Sequence, residues 1–282
     1  MHEHLLSDAS ALSEDARLDD PELAARELRL AGAAGLSAVV DPTVWGFGGP
    51  APALPDVARA AGVHVIAGAG AYLGRTLPEW VHELSVDALA EHFIACLEDG
   101  LPGCGFRAGV LGLIGTGHPV APVEERVLRA TAIAARATGA CVIARVDARA
   151  GGATPGLDAL LAHGVPGERV VLSNIDGLHA DRPRLRALLE TGATLKWSFG
   201  YEAPPRPGLW SATDAQRLDA LCDLLDHGRH VLACGIWTRS ALHAHGGFGY
   251  DHLMRTVVPA LRERGVDPVP LLVDAPRALL AR

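Results

Sequence analysis

Lysine is nearly absent from this 282-residue chain: Lys196 is the single example among 25 basic residues, and the rest are arginine. No run of basic residues occurs, and the formal net charge is −8 with a pI near 5.9. Both facts argue against a nucleic-acid or anionic-membrane partner, which would need a concentrated cationic patch. Cysteine is sparse as well. Cys96, Cys104, Cys141, Cys222 and Cys234 are odd in number, scattered and never spaced C-x-x-C, which argues against a disulfide framework or a zinc ribbon. No stretch approaches the ~18 apolar residues needed to span a bilayer, and the start has no basic, apolar leader pattern. The reading is a cytoplasmic protein whose company is small molecules, with a homodimer as a further option.

What the chain does have is regular alternation. Short apolar or β-branched runs recur as "LSAVVD" (36–41), "VHVIAG" (63–68), "AGVLGLIG" (108–115), "ACVIAR" (140–145), "RVVLSN" (169–174), "ATLKWS" (193–198) and "RHVLAC" (229–234). Each reads as a buried strand. Helical patterns with readable ends lie between them. In "SVDALAEHFIACLEDG" Ser85 is the N-cap and Gly100 follows the end; in "APVEERVLRATAIAARATG" Pro122 opens the helix and Gly139 closes it. No Pro/Gly/Ser linker divides the series, so residues 1–282 form one domain, a (β/α)8 TIM barrel. Seven strands leave one missing. Its place is immediately before His2, because the first helical pattern, "DPELAARELRLAGAAG", precedes "LSAVVD". The expectation is a barrel lacking most or all of its first strand, with Met1 corresponding to an internal methionine and both neighbouring strand edges left unpaired.

The ordered set "HEHLL", "VVDPTVWGFGG", "AGAGAYL", "GVLGLIGTG", "VEERVLRATAIAARATGA" and "HGGFGYDHLMRTVVPALRERGV" resembles the phosphotriesterase family of the amidohydrolase superfamily over essentially the whole chain. The resemblance implies a barrel in which two divalent metals, zinc above all, activate a bridging hydroxide against an ester, lactone or phosphotriester. It also implies a ligand set, and this chain departs from it. His2 and His4 match the family's H-x-H. Leu113 stands where a bridging lysine or glutamate belongs, Arg145 where a histidine belongs, Ser173 and Asn174 where a Gly-His pair belongs, and Gly235 where an aspartate belongs. Four of six ligand positions thus carry poor donors, and Arg145 is a permanent cation that repels a metal. Metal binding is expected to be weak or absent.

Arg145 is expected where a metal would sit, paired with a carboxylate; Asp147 and Asp176 are the candidates, and Asp176 is favoured. Lys196 and Ser198 share a strand face, so Lys196 is a candidate base or Schiff-base amine; a lysine snorkelling from the strand end to solvent is the commoner outcome. Cys234 reads as an inert buried thiol. His118, His179, His243 and His245 fall in predicted loops. Three functional readings follow. The first is a barrel that has lost its metal centre and binds a small molecule, an anion among the options, with no chemistry or metal-independent chemistry by Arg145, Asn174, Asp176 and Lys196. The second is a metal-dependent hydrolase using His2, His4 and substitute ligands. The third is a non-catalytic partner subunit of an intact paralogue.

Overall fold

A computed structural model describes residues 1–49, 51–147, 154–201 and 212–282. All seven expected strands form: β1 (Ala38–Asp41), β2 (His64–Ala69), β3 (Val110–Ile114), β4 (Val142–Arg145), β5 (Val170–Ser173), β6 (Thr194–Ser198) and β7 (His230–Ala233). They pair in parallel in sequence order as one curled sheet. Helices fill the crossovers, as parallel pairing requires: α1 (Pro21–Ala33), α2 (Leu54–Ala61), α3 (Val86–Glu98), α4 (Pro122–Thr138), α5 (Pro155–Ala162), α6 (Arg182–Glu190) and α7 (Asp214–Cys222). The end signals read from the sequence hold. Ser85 accepts from Ala88 N at the start of α3, and Gly139 closes α4 at φ 71°, a left-handed value that suits glycine. A short antiparallel pair, Ser7–Asp8 with Arg17–Leu18, lies between the opening residues and α1.

As expected, residues 1–4 form no first strand, but they hydrogen-bond to both edges of the sheet. Glu3 N donates to Val40 O beside β1, while the Met1 amino group and His4 N donate to Leu232 O and Ile236 O beside β7, each at 2.9 Å. Residues 1–4 therefore bridge the two edges that the sequence reading left unpaired. The buried Glu3 carboxylate adds a second clasp, accepting from Cys234 N at 2.6 Å and Ile236 N at 3.0 Å.

Period-two alternation divides each strand between two cores. Val142, Ala144, Val170, Leu172, Leu195 and Trp197 face the helices and join the larger apolar cluster. Val40, Val110, Ile143, Val171 and Val231 belong to a second cluster inside the barrel. Two residues farther along the same parity come Arg145 after Ile143, Ser173 after Val171, and Lys196 with Ser198 on β6. The lumen is thus packed with Val and Ile at the strand starts and turns polar at the C-terminal ends, where barrels carry their sites.

Candidate functional site

A cavity of about 430 Å³ opens at that polar end. His2, His4, Arg145, Asn174, Lys196 and Ser198 line it, with Leu113 and Gly235. Five of the six candidate residues from the sequence therefore meet at one place; among the described residues lining the cavity, Asp176 is absent.

His2 and His4 are both buried, and their Nε2 atoms approach to 3.1 Å. Each outer nitrogen is held: His2 Nδ1 lies 2.9 Å from Ser173 Oγ and His4 Nδ1 2.8 Å from Thr43 Oγ1. Thr43 Oγ1 also hydrogen-bonds Asp41, and Ser173 Oγ contacts Asn174 Oδ1 at 2.9 Å. The result is one chain of contacts, Asp41–Thr43–His4–His2–Ser173–Asn174. Each hydroxyl has one proton and each neutral imidazole has one, so the chain is satisfied only when all its protons point the same way. With Asp41 ionised they point toward Asp41, and the Asn174 amide turns its NH2 to Ser173; with Asp41 protonated every bond reverses. Burial pushes Asp41 up to about 6, against the hydrogen bond from Thr43. Burial also pushes His4 down to about 3, with the Lys196 charge adding to it, and holds His2 well below the usual histidine range for the same two reasons. Burial thus favours the neutral form of both imidazoles.

Lys196 corrects the snorkelling expectation. It is buried, and its Nζ donates to Ser198 Oγ at 2.6 Å within the cavity. The residue sits in the middle of β6 on the lumen face, where β5 and β7 flank it and Ser198 takes its Nζ. Burial lowers its pKa, with Asp176 and Glu3 pulling the other way. Gly235 makes the arrangement possible. A Cβ there would stand 3.0 Å from Ser198 Oγ and 3.3 Å from Lys196 Nζ, and its φ of 69° favours glycine in any case.

Arg145 does enter the cavity beside the histidines, but its carboxylate partner is Asp147, at 3.6 Å, and not Asp176. The cause is the local path of the chain. Asp176 lies in the 3-10 turn Ile175–Leu178 after β5, where its Oδ1 accepts from Ser198 N at 2.9 Å and faces Arg217 Nε at 3.7 Å. Arg217 Nη1 is bound in turn by Asp214 at 2.8 Å, and Asp214 by His252 at 2.7 Å. Asp176 thus braces the back of β6. Among the described residues, Arg145 Nη1 is buried and has its ion pair with Asp147 but no hydrogen bond. Asn174 stands in the left-handed region at φ 66°, a conformation asparagine tolerates, and this turns the chain so that its side chain faces the cavity.

Phe47, Tyr72 and Trp237 supply an aromatic wall, with ring centroids 5.0 Å and 6.3 Å from Phe47 to Tyr72 and Trp237. Arg75 adds a further cation at the lining, and the carboxylate Asp15 at the rim is tied to Ser240 N and Oγ. Cys234 is buried on the helix-facing side with its thiol pushed well up by burial, as the strand alternation implies. His118, His179, His243 and His245 lie outside the cavity lining; His179 Nδ1 donates to Asp176 O and His243 pairs with Asp251. Sequence reasoning missed Thr43, Asp41 and Glu3. The carboxylates were visible as acids beside or within apolar runs, in "VVD" and "HEH", a pattern that calls for a buried partner.

Over residues 1–280 the sequence matches the phosphotriesterase family. The chain belongs to that family. It is 33% identical over 269 residues to N-acetyltaurine hydrolase of Tetraodon nigroviridis, covering 92% of this chain and 77% of that protein. Among solved structures, the phosphotriesterase homology protein from Escherichia coli, crystallised with phosphate in its active site, superposes with a TM-score of 0.87 at 30% identity, covering 99% of this chain and 97% of the other. A resiniferatoxin-binding protein from Rhodobacter sphaeroides superposes with a TM-score of 0.91 at 28% identity, covering 99% and 89%. These relationships establish a phosphotriesterase-like (β/α) barrel. Among the described residues, no helix is long and apolar enough to cross a membrane, and no group of three or more His, Cys, Asp or Glu is placed to hold a metal ion.

Proposed function

We propose that the cavity binds a small anionic acyl compound, an amide or ester bearing a carboxylate or sulfonate, and acts on it without a binuclear metal centre. One observation carries the reading: the Lys196 ammonium nitrogen lies 3.3 Å from where a Cβ on Gly235 would be, at the position where the family resemblance calls for a metal-binding aspartate. A lysine cation there takes the electrostatic place of an ion and repels a second one. The remaining donor set does not fit the family's two-metal centre, since Leu113 and Gly235 offer no donor atom and Arg145 adds another positive charge. The same charges suit an anion. Among the described residues Arg145 Nη1 makes no hydrogen bond and can offer a charge-assisted one, and the aromatic wall accommodates a short apolar stem. The relative named for N-acetyltaurine, an amide with a sulfonate, supports the choice of ligand class.

A second reading has its own support. His2 and His4 have both Nδ1 atoms held by hydroxyls, which leaves both Nε2 atoms directed at one point, as the outer-shell contacts of metal-binding imidazoles do. Calorimetric titration of chelator-treated protein with N-acetyltaurine separates the two. Binding that survives the chelator and falls at least tenfold in Arg145→Met supports the metal-free anion site. Binding that appears only after zinc is restored supports the metal-dependent hydrolase and ends the first reading.

A further inference from the structure

We infer that Ser198 and Lys196 form a catalytic dyad, with Ser198 Oγ as the nucleophile and Lys196 Nζ as the base that takes its proton. This deepens the anion-site reading and rests on it for the substrate class, a small amide or ester whose amine or alcohol part carries the negative charge, as in N-acetyltaurine.

The geometry is specific. The two residues are adjacent on the lumen face of β6, buried, and in contact at 2.6 Å, a distance at which a proton can pass between them. Both line the cavity, so a bound molecule can reach the hydroxyl. The side of Ser198 facing Gly235 carries no side chain; a Cβ there would stand 3.0 Å from Oγ, and its absence leaves room for a carbonyl carbon. The backbone of the nucleophile is fixed, because Ser198 N donates to Asp176, itself braced by buried Arg217. A weak hydroxyl nucleophile becomes competent when a base stands within hydrogen-bond reach and a third group sets the geometry, and Ser-Lys pairs are an established form of that arrangement. Lys196 acts as the base only in its neutral form, reached when the cation of the ligand-free site gives up its proton, and burial lowers the pKa at which it does so.

The chemistry closes without a metal or a co-reactant beyond water. Ser198 Oγ bonds to the carbonyl carbon as its proton moves to Lys196 Nζ. The tetrahedral intermediate then breaks its C–O or C–N bond, and Lys196 returns the proton to the departing alcohol or amine. Water repeats the sequence on the acyl-serine, giving its proton to Lys196, and collapse restores Ser198 and releases the carboxylic acid. Arg145 holds the anionic end of the amine or alcohol part until that part departs.

Chelator-treated full-length protein exposed to an alkyl fluorophosphonate tests the dyad, because attack on phosphorus expels fluoride and leaves a stable adduct. Peptide mapping by mass spectrometry should find that adduct on Ser198, with labelling lost in Ser198→Ala. In Lys196→Met labelling should slow by about 100-fold, the usual worth of a positioned base. The labelling rate should rise with pH through a midpoint below the ordinary lysine range. Heat melts of both variants report whether they fold; if Lys196→Met does not, wild type and Ser198→Ala decide. Folded wild type with no adduct on Ser198, or with the adduct on Lys196, overturns the dyad. Binding of N-acetyltaurine without labelling overturns the dyad alone, whereas labelling without that binding overturns only the anion reading.

Discussion

Arg217 Nε faces Asp176 Oδ1 at 3.7 Å, and both side chains are sealed from solvent. This pairing, and not one between Arg145 and Asp176, organises the charges behind β6. Asp176→Ala strips one carboxylate from a buried guanidinium and also orphans Ser198 N, so it should cost about 3–5 kcal/mol of stability. Arg145→Met removes a contact of similar length that is partly exposed and should cost about 1 kcal/mol or less. Urea unfolding midpoints compare them; equal losses would mean that the two arginines share the load.

Acid should unfold the protein partly through His230, remote from the cavity. Its Nδ1 accepts from Trp197 Nε1 at 3.1 Å and its Nε2 donates to Leu224 O at 3.0 Å, so the folded protein holds one neutral tautomer. Burial pushes its pKa down to about 4, with only the Leu224 bond pulling it back. Below pH 6.5 the unfolded chain therefore binds a proton that the folded chain refuses. Stability from this group is complete above 6.5 and is lost as pH falls toward 4, by about 2 kcal/mol at pH 5. His230→Gln should lose less stability than wild type between pH 7.5 and pH 5 in urea titrations. An unchanged loss would place the acid sensitivity elsewhere.

Gly235→Ala should lower stability by about 1–2 kcal/mol, because its φ of 69° lies in the left-handed region. The added methyl also meets Ser198 Oγ and must shift it. A heat melt measures the first effect. The second predicts weaker N-acetyltaurine binding than the stability loss explains, and unchanged affinity would show that ligand does not approach from this side.

The strands and the helix ends were legible because they rest on local chemistry: apolar periodicity, Ser85 before α3, and Gly139 after α4 each act within a turn or two. The barrel's polar end was legible through strand parity, which put Arg145, Lys196 and Ser198 on the lumen face. What the sequence could not disclose was which partner each charge takes. Asp147 and Asp176 lie two and 31 positions beyond Arg145, and only the turn Ile175–Leu178 directs Asp176 behind β6 toward Arg217. Lys196 was misjudged for a similar reason. Snorkelling depends on what surrounds a lysine, and here β5 and β7 flank β6, Ser198 takes the Nζ, and the loop after β7 comes close at Gly235. Closure by residues 1–4 likewise depends on hydrogen bonds to β1 and β7, which are remote in sequence.

The last prediction concerns metal. Purified without added zinc, the chain should carry far less than one ion per molecule. His2 and His4 converge where burial favours neutral imidazoles, but a tight zinc site normally has three or four protein donors, and the neighbouring positions hold Leu113, Asn174, Gly235 and the cations Arg145 and Lys196. A single restoration should change little, because one added donor leaves both cations in place. Combining Leu113→Glu, Arg145→His, Asn174→His and Gly235→Asp rebuilds the family's donor set. Asn174→His is compatible with φ 66°, since histidine is tolerated in that region, but Gly235→Asp must displace Lys196 Nζ, 3.3 Å from the new Cβ. Lys196→Gln should therefore be needed alongside the four before zinc is retained. Plasma mass spectrometry after gel filtration reads the outcome for each variant. Stoichiometric zinc in the unaltered chain would show that His2 and His4 recruit donors despite both cations, and the metal-dependent reading would replace the metal-free one.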